Sequence, residues 1–214
     1  YPGDGSDPDA LIKNADIAMY KAKGNGRNTY YLFNQKLNEQ LVEHLDLEND
    51  LRNAVNHDLL DLYYQPQVEL RNGKWKGIEA LLRWEHPQQG YISPASFIPI
   101  AEETGAIHEI GNLVFKEAVQ RLKQWRQDYD PAFQVSINKS PVQFMKESYE
   151  HEDWVGYLDQ LGLNGDGLVI EITEGVVMKL TSSINDKLLH LREAGVQVAI
   201  DDFGTGYSSL AYLK

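Results

Sequence analysis

Two adjacent carboxylates, Asp201 and Asp202, follow the apolar run Val196, Val198, Ala199 and Ile200 and precede Gly204 and Gly206. Three other apolar segments carry an oxygen ligand near their ends: Glu79 late in KGIEALLRW, Asn138 closing FQVSIN, and Glu171 in LVIEIT. An ionised carboxylate in an apolar strand is costly unless it is paired, hydrogen-bonded or bound to a metal. Recurrence at successive strand ends therefore points to one shared cation site. The chain has no cysteine, so any metal must be held by oxygen or histidine ligands. A carboxylate and amide set suits Mg²⁺, Mn²⁺ or Ca²⁺. Two such ions about 4 Å apart stabilise both oxygens of an in-line phosphoryl displacement, with one of the paired aspartates bridging and its neighbour holding the second ion. Each residue taken alone has a plainer reading. Glu79 or Glu171 can face solvent or pair with arginine, Asn138 can be a turn residue or helix cap before Pro141, and Asp201-Asp202 can be an ordinary strand-to-turn junction. The coincidence of four strand ends favours the metal site.

Strands must place these residues, and the pattern supplies them. LLDLYYQPQVEL and KWKGIEALLRW flank Asn72-Gly73, a hairpin cue that predicts antiparallel pairing. Helical SPASFIPIAEETG and a helix over 107–128 follow. Strand FQVSIN, helix EDWVGYLDQL, strand LVIEIT, helix SSINDKLLHLREAG and strand VQVAI complete the series. Strands alternating with helices argue for a parallel sheet covered by helices, with catalytic residues at the carboxyl ends of the strands. The expectation is an α/β fold, an incomplete TIM-like (β/α) barrel with five barrel-region strands, one of them antiparallel. Upstream, Asp7 can cap a helix whose apolar face is Leu11, Ala15, Ala18, Met19 and Ala22, and NTYYLF reads as a short strand. A helix and one strand cannot bury a core alone, so residues 1–34 read as the tail of another domain. Residues 35–57 read as an amphipathic linker helix, and 58–214 as the barrel region.

The totals bound the function. A net charge of −12 over 214 residues argues against a broad nucleic-acid or anionic-membrane surface. The expected partners exclude DNA or RNA polymers and membrane, while a small phosphorylated ligand stays open. No apolar stretch reaches the length of a membrane span, and the expected location is cytoplasmic, with any membrane anchor of the parent protein lying outside this segment.

EALLRW at Glu79 to Trp84, YYQPQV before it, and SPASFIPIAEETG, INKSPVQF, EITE and DDFGTGYSSLAYLK after it resemble the EAL family of cyclic di-GMP phosphodiesterases from about Leu59 to Lys214. The opening residues similarly resemble the C-terminal end of an α+β GGDEF diguanylate cyclase domain, a small remnant without that domain's signature. The resemblance implies that Glu79, Asn138, Glu171, Asp201 and Asp202 hold Mg²⁺ or Mn²⁺, with Asp202 on a second ion, and that Glu79, Asp201 and Asp202 are catalytic. It implies that Gln65 hydrogen-bonds the dinucleotide, Arg83 contacts a phosphate, and Glu174 steadies the loop Phe203 to Ser208. Without that resemblance, Arg83 reads as half of a salt bridge. Trp84 and Phe97 are expected to pack. Lys139 departs from the apolar residue usual at its position, which puts the local loop packing in question.

The implied activity is hydrolysis of cyclic di-GMP to linear pGpG, by a domain expected to form homodimers. The family's further lysine, glutamate and glutamine would follow Lys214, so the 214-residue piece is expected to lack robust activity. The alternatives are a cyclic di-GMP receptor without turnover and a dimerisation scaffold.

Overall fold

The computed structural model describes residues 3–24, 27–57, 59–145, 153–178 and 181–204, in two compact units, 1–53 and 54–214. In the first, α1 spans Pro8–Gly24 and begins where the sequence places it. The Asp7 carboxylate accepts a hydrogen bond from the Ala10 amide at 2.8 Å, satisfying one of the unpaired donors of the first turn. Ile17 and Ala18 pack with Leu37 of α2, which spans Gln35–Asn56, and with the partly buried Phe33 and Leu41. Two expectations are corrected here. NTYYLF is not a strand: residues 29–34 lie outside regular structure, and Tyr30 and Leu32 are exposed, since an extended segment needs a pairing partner to form a ladder. The buried face of α1 also differs. Ala15 and Met19 are exposed and Ile17 is buried instead, because the face follows what α2 and Phe33 offer.

The second unit is built on a mixed sheet. Strand β1, Leu60–Val68, pairs antiparallel with β2, Trp75–His86, as the hairpin signal predicts. Beyond it, β4 (Gln134–Asn138), β5 (Leu168–Thr173) and β6 (Gln197–Asp201) add in parallel, giving the order β1-β2-β4-β5-β6. A sixth strand, β3 (Gly90–Ile92), pairs antiparallel with the end of β2. This corrects the expected five. Three residues are too few to show alternation, as are the five of α5 (Pro141–Met145) and α7 (Glu174–Met178) to show a helical face. The longer helices stand where the pattern puts them: α3 at Pro94–Thr104, α4 at Ile107–Asp128, α6 at Trp154–Leu161 and α8 at Ser182–Glu193.

Alternation divides the sheet into two unlike faces. Leu60, Leu62, Ile78, Ala80, Trp84, Val135, Ile137, Leu168, Ile170 and Ile172 are all buried. They share one face, by the two-residue period of strands. Against that side lie the helices, with Phe97 of α3 and Phe115, Ala118, Val119 and Leu122 of α4 buried among the core residues. Trp84 meets Phe97 edge to face at 5.5 Å between centroids. Both aromatics are fully buried, as expected of packing residues.

Close approach is built in at Gly77, opposite Gln134: a Cβ there would stand 2.5 Å from the Gln134 carbonyl oxygen. Lys139 is buried with its ammonium 3.5 Å from the centre of the Trp154 ring, and Trp154 stacks on Phe115 at 4.3 Å. The loop thus accepts a cation because an aromatic face replaces part of its hydration.

Replacing Trp84 by alanine leaves a large cavity between sheet and helices. The expected loss is about 3–5 kcal/mol, read as a lowered urea midpoint at unchanged slope. Tyr64 packs edge to face on Trp125 at 5.0 Å. Burial first, then the nearby Glu117 carboxylate, pushes its hydroxyl up to about 12 from 10.0. The folded value is the higher one. The stabilisation from the neutral phenol is therefore complete below pH 10 and is lost as pH rises toward 12. Denaturation measured across that range should show a fall in stability that is shallower in Tyr64→Phe.

Candidate functional site

The sheet face away from the helices is polar. By strand parity it carries Gln65 and Gln67 of β1, Glu79 and Arg83 of β2, Ser136 and Asn138 of β4, Glu171 of β5, and Asp201 of β6. Register fixes their heights. Glu79 is level with Gln65 on one side and Ser136 on the other. Asn138 is level with Glu171, and Thr173 with Asp201. From β2 to β6 these residues therefore rise in two steps, from Glu79 to the level pair Asn138 and Glu171, and from that pair to Asp201.

Side chains close the gaps between rungs. Asn138 Nδ2 reaches back to donate to Glu79 Oε1 at 2.8 Å. Its amide oxygen is then the atom left for a cation. Glu171 is half-buried, and its carboxyl is held above the usual glutamate range. Burial is the main cause, followed by the negative charge of Glu79 and then that of Asp201, while hydrogen bonds from Ser136 and Gln67 oppose the shift. Gln67 Nε2 also donates weakly to Ser136 Oγ at 3.4 Å.

The two aspartates are placed differently. Asp201 ends β6 and accepts a hydrogen bond from the Asp202 amide at 2.8 Å. Asp202, just past the strand, has φ of +52°, a left-handed conformation that aspartate tolerates better than most side chains. That turn takes Asp202 out of the strand's alternation and sets two successive carboxylates apart in direction.

Arg83 lies four residues beyond Glu79 on the same face, about 13 Å along the strand. Its Nη1 donates to the Leu82 carbonyl at 2.9 Å, and its guanidinium stands 5.8 Å from the Tyr63 ring centre. Among the described residues it has no carboxylate partner. The salt-bridge alternative is thus not what the structure shows, and the charge is left for an anion. Glu174 opens α7 and is half-buried. Of the loop it is expected to steady, only Phe203 and Gly204 fall within the described residues.

A hard divalent cation fits this donor set. Repulsion from Glu79 and Asp201 raises Glu171, and a cation would relieve that repulsion. Among the described residues no three His, Asp or Glu form a ready cluster.

The sequence reading missed Gln67 and Ser136, which hydrogen-bond to Glu171, and Tyr91 of β3, whose hydroxyl lies 2.5 Å from that of Tyr63. Parity was the available signal: Gln67 lies two residues after Gln65, and Ser136 two before Asn138.

Acids and an amide are gathered on the polar face of this sheet, with Asn138, Glu171 and Asp201 at or near the carboxyl ends of parallel strands and Glu79 within β2, which defines the class as an α/β domain with its candidate site on that face. Within that class the match is specific. Residues 48–214 match the EAL domain, and the chain belongs to that family.

Its relatives include the bifunctional diguanylate cyclase/cyclic di-GMP phosphodiesterase MucR of Pseudomonas aeruginosa, 42% identical over 221 residues, covering 100% of this chain and 31% of MucR. The cyclic di-GMP phosphodiesterase NbdA of the same organism is 37% identical, covering 100% of this chain and 27% of NbdA. This chain thus spans about a third or less of the length of these relatives. Among solved structures, the PaMucR phosphodiesterase in complex with c-di-GMP superposes with a TM-score of 0.71 at 41% identity, covering 78% of this chain and 68% of that one. The EAL enzyme Bd1971, bound to cAMP and cyclic di-GMP, gives 0.74 at 29% identity, covering 99% and 55%.

In the metal-free protein, the Glu171 carboxyl should titrate above the ordinary glutamate range. Ser136→Ala removes a bond that favours the ionised form and should raise the value further. Glu79→Gln removes a repelling charge and should lower it. Carbon-13 NMR titration of the Glu171 carboxyl reads both directions.

Proposed function

We propose that the protein is a cyclic di-GMP phosphodiesterase, hydrolysing one phosphodiester bond of the cyclic dinucleotide to give pGpG. The observation that carries this reading is the staggered row Glu79, Asn138, Glu171 and Asp201 on one sheet face, with the guanidinium of Arg83, which has no carboxylate partner among the described residues, further along β2 on the same face. The relatives' names support the substrate. MucR and NbdA are named as cyclic di-GMP phosphodiesterases. MucR, named as bifunctional, aligns over the whole chain, which supports residues 1–34 as the end of a GGDEF domain.

Glu79, Asn138, Glu171 and Asp201 would hold Mg²⁺ or Mn²⁺, with Asp202 toward a second ion. When bound, such ions lower the pKa of water and offset charge on phosphoryl oxygens. The protein's own side chains do the rest. Arg83, with a planar fork of donors, binds a non-bridging phosphate oxygen and fixes the dinucleotide's height over the sheet. Gln65, level with Glu79, offers a neutral donor and acceptor to the sugar or base. Asn138 orients Glu79 through its 2.8 Å hydrogen bond, and the bonds from Ser136 and Gln67 favour the ionised form of Glu171 against the upward pull of burial and of Glu79. The helix-covered apolar face keeps this row rigid.

Cyclic di-GMP and pGpG are followed by chromatography on the intact protein and on the 214-residue chain, with Mg²⁺, Mn²⁺ or chelator. Expected are metal-dependent turnover by the intact protein and a fall of more than about a hundredfold in Glu79→Gln, exceeding the usual cost of losing an outer-shell partner. Arg83→Ala should chiefly raise KM, by about tenfold or more, from loss of a charge-assisted hydrogen bond. Binding without turnover in the intact protein would instead make it a receptor.

A further inference from the structure

The tip of the β1-β2 hairpin lies outside everything assigned so far. Val68 and Trp75 face each other across the two strands. They are 47% and 67% exposed, and Leu70 in the turn is 98% exposed. Scattered surface hydrophobics are ordinary, whereas a contiguous exposed apolar set marks an interaction site. Interleaved with them are Arg71, Lys74 and Lys76, all exposed, and among the described residues none is ion-paired. The only acid in this stretch, Glu69, accepts a hydrogen bond from the Asn72 amide.

The tip is also ordered. Glu69 and Gly73 amides donate to the Lys74 and Glu69 carbonyls, each at 2.9 Å, and the Lys74 amide donates to Asn72 Oδ1 at 2.8 Å. Parallel pairing of β2 with β4 begins only at Gly77, so the tip extends past the parallel part of the sheet. The chain as a whole carries −12, but over residues 68–76 three basic side chains stand against the single acid Glu69, and it is this local charge that a surface in contact with the tip meets, since charges more than a Debye length of about 8 Å from it are screened.

We propose that the hairpin tip docks on an anionic lipid surface, with Trp75 and Leu70 entering the headgroup region while Arg71, Lys74 and Lys76 meet lipid phosphates. Tryptophan beside apolar and basic residues is the composition that favours the interface. The tip lies at the amino end of β2, while Asn138, Glu171 and Asp201 lie at or near the carboxyl ends of their strands. Docking therefore leaves the strand-end site facing away from the lipid. The proposal does not depend on the phosphodiesterase reading.

The test is cosedimentation of the whole chain with phosphatidylcholine vesicles, with and without phosphatidylglycerol, while following tryptophan emission. Each basic residue near an anionic surface strengthens binding about fivefold, so three give about a hundredfold preference for the anionic vesicles. Added salt should weaken that preference in the unaltered protein. Emission should shift to the blue on binding, chiefly from Trp75, since Trp84 and Trp154 are already buried and the half-buried Trp125 packs on Tyr64 and Phe133. Trp75→Ser with Leu70→Ser should abolish binding, and Lys74→Glu with Lys76→Glu should remove the preference, with the urea midpoint unchanged in both. No binding by the unaltered chain, binding indifferent to phosphatidylglycerol and salt, or variants that bind as it does would overturn the proposal. So would a tip substitution that alters self-association in gel filtration without altering vesicle binding, which would make the tip a protein contact.

Discussion

The structure depends on how one sheet serves two solvents. Strand side chains alternate with a strict period of two, so every residue committed to the helix-covered face commits its neighbours to the other. Val135 and Ile137 are buried beneath the helices, which leaves Ser136 and Asn138 on the polar side. Ile170 and Ile172 do the same for Glu171. A slip of one residue in any of these strands would drive carboxylates into the core and isoleucines out of it. The hydrophobic effect that builds the core is thus what holds the acids in a row.

That row is under electrostatic load. Glu171 is raised by its burial and by Glu79 and Asp201, and the opposing bonds from Ser136 and Gln67 do not cancel the effect. Asn138 contributes a neutral hydrogen bond to Glu79 instead of a third charge. Acids close together, partly desolvated and only partly compensated, are an arrangement that a positive charge would stabilise. Arg83 sits along the strand, away from the acids. Its backbone hydrogen bond and the nearby Tyr63 ring hold it without neutralising it.

Lys139 shows how the site's support tolerates an unusual residue. Its backbone amide donates to the Glu171 carbonyl at 2.9 Å, tying the end of β4 to β5. Its side chain turns to the other side, onto Trp154, which stacks on Phe115 and donates to Asn112 at 2.9 Å. The residue that departs from the family's usual apolar one is accommodated by aromatic packing from α4 and α6.

Much of this was legible in the sequence. Apolar alternation located β1, β2, β4, β5 and β6, helical periodicity located α4 and α8, and Asn72-Gly73 announced the hairpin. The candidate acids stood out because carboxylates at strand ends break an otherwise apolar pattern. These are local properties, and a chain carries them before it folds. What the sequence did not show needs a neighbour to exist. NTYYLF has strand composition but no pairing partner among the described residues, and β3 is a strand only because β2 extends beyond β4. Ser136 and Gln67 matter only because register brings them to Glu171, and Arg83 lacks a carboxylate partner among the described residues because of where the fold puts it. Residue types and periods determined which side chains could do chemistry. The tertiary structure alone decided their heights, their pairing and their charge environment, because those depend on distances between segments that the linear order does not contain.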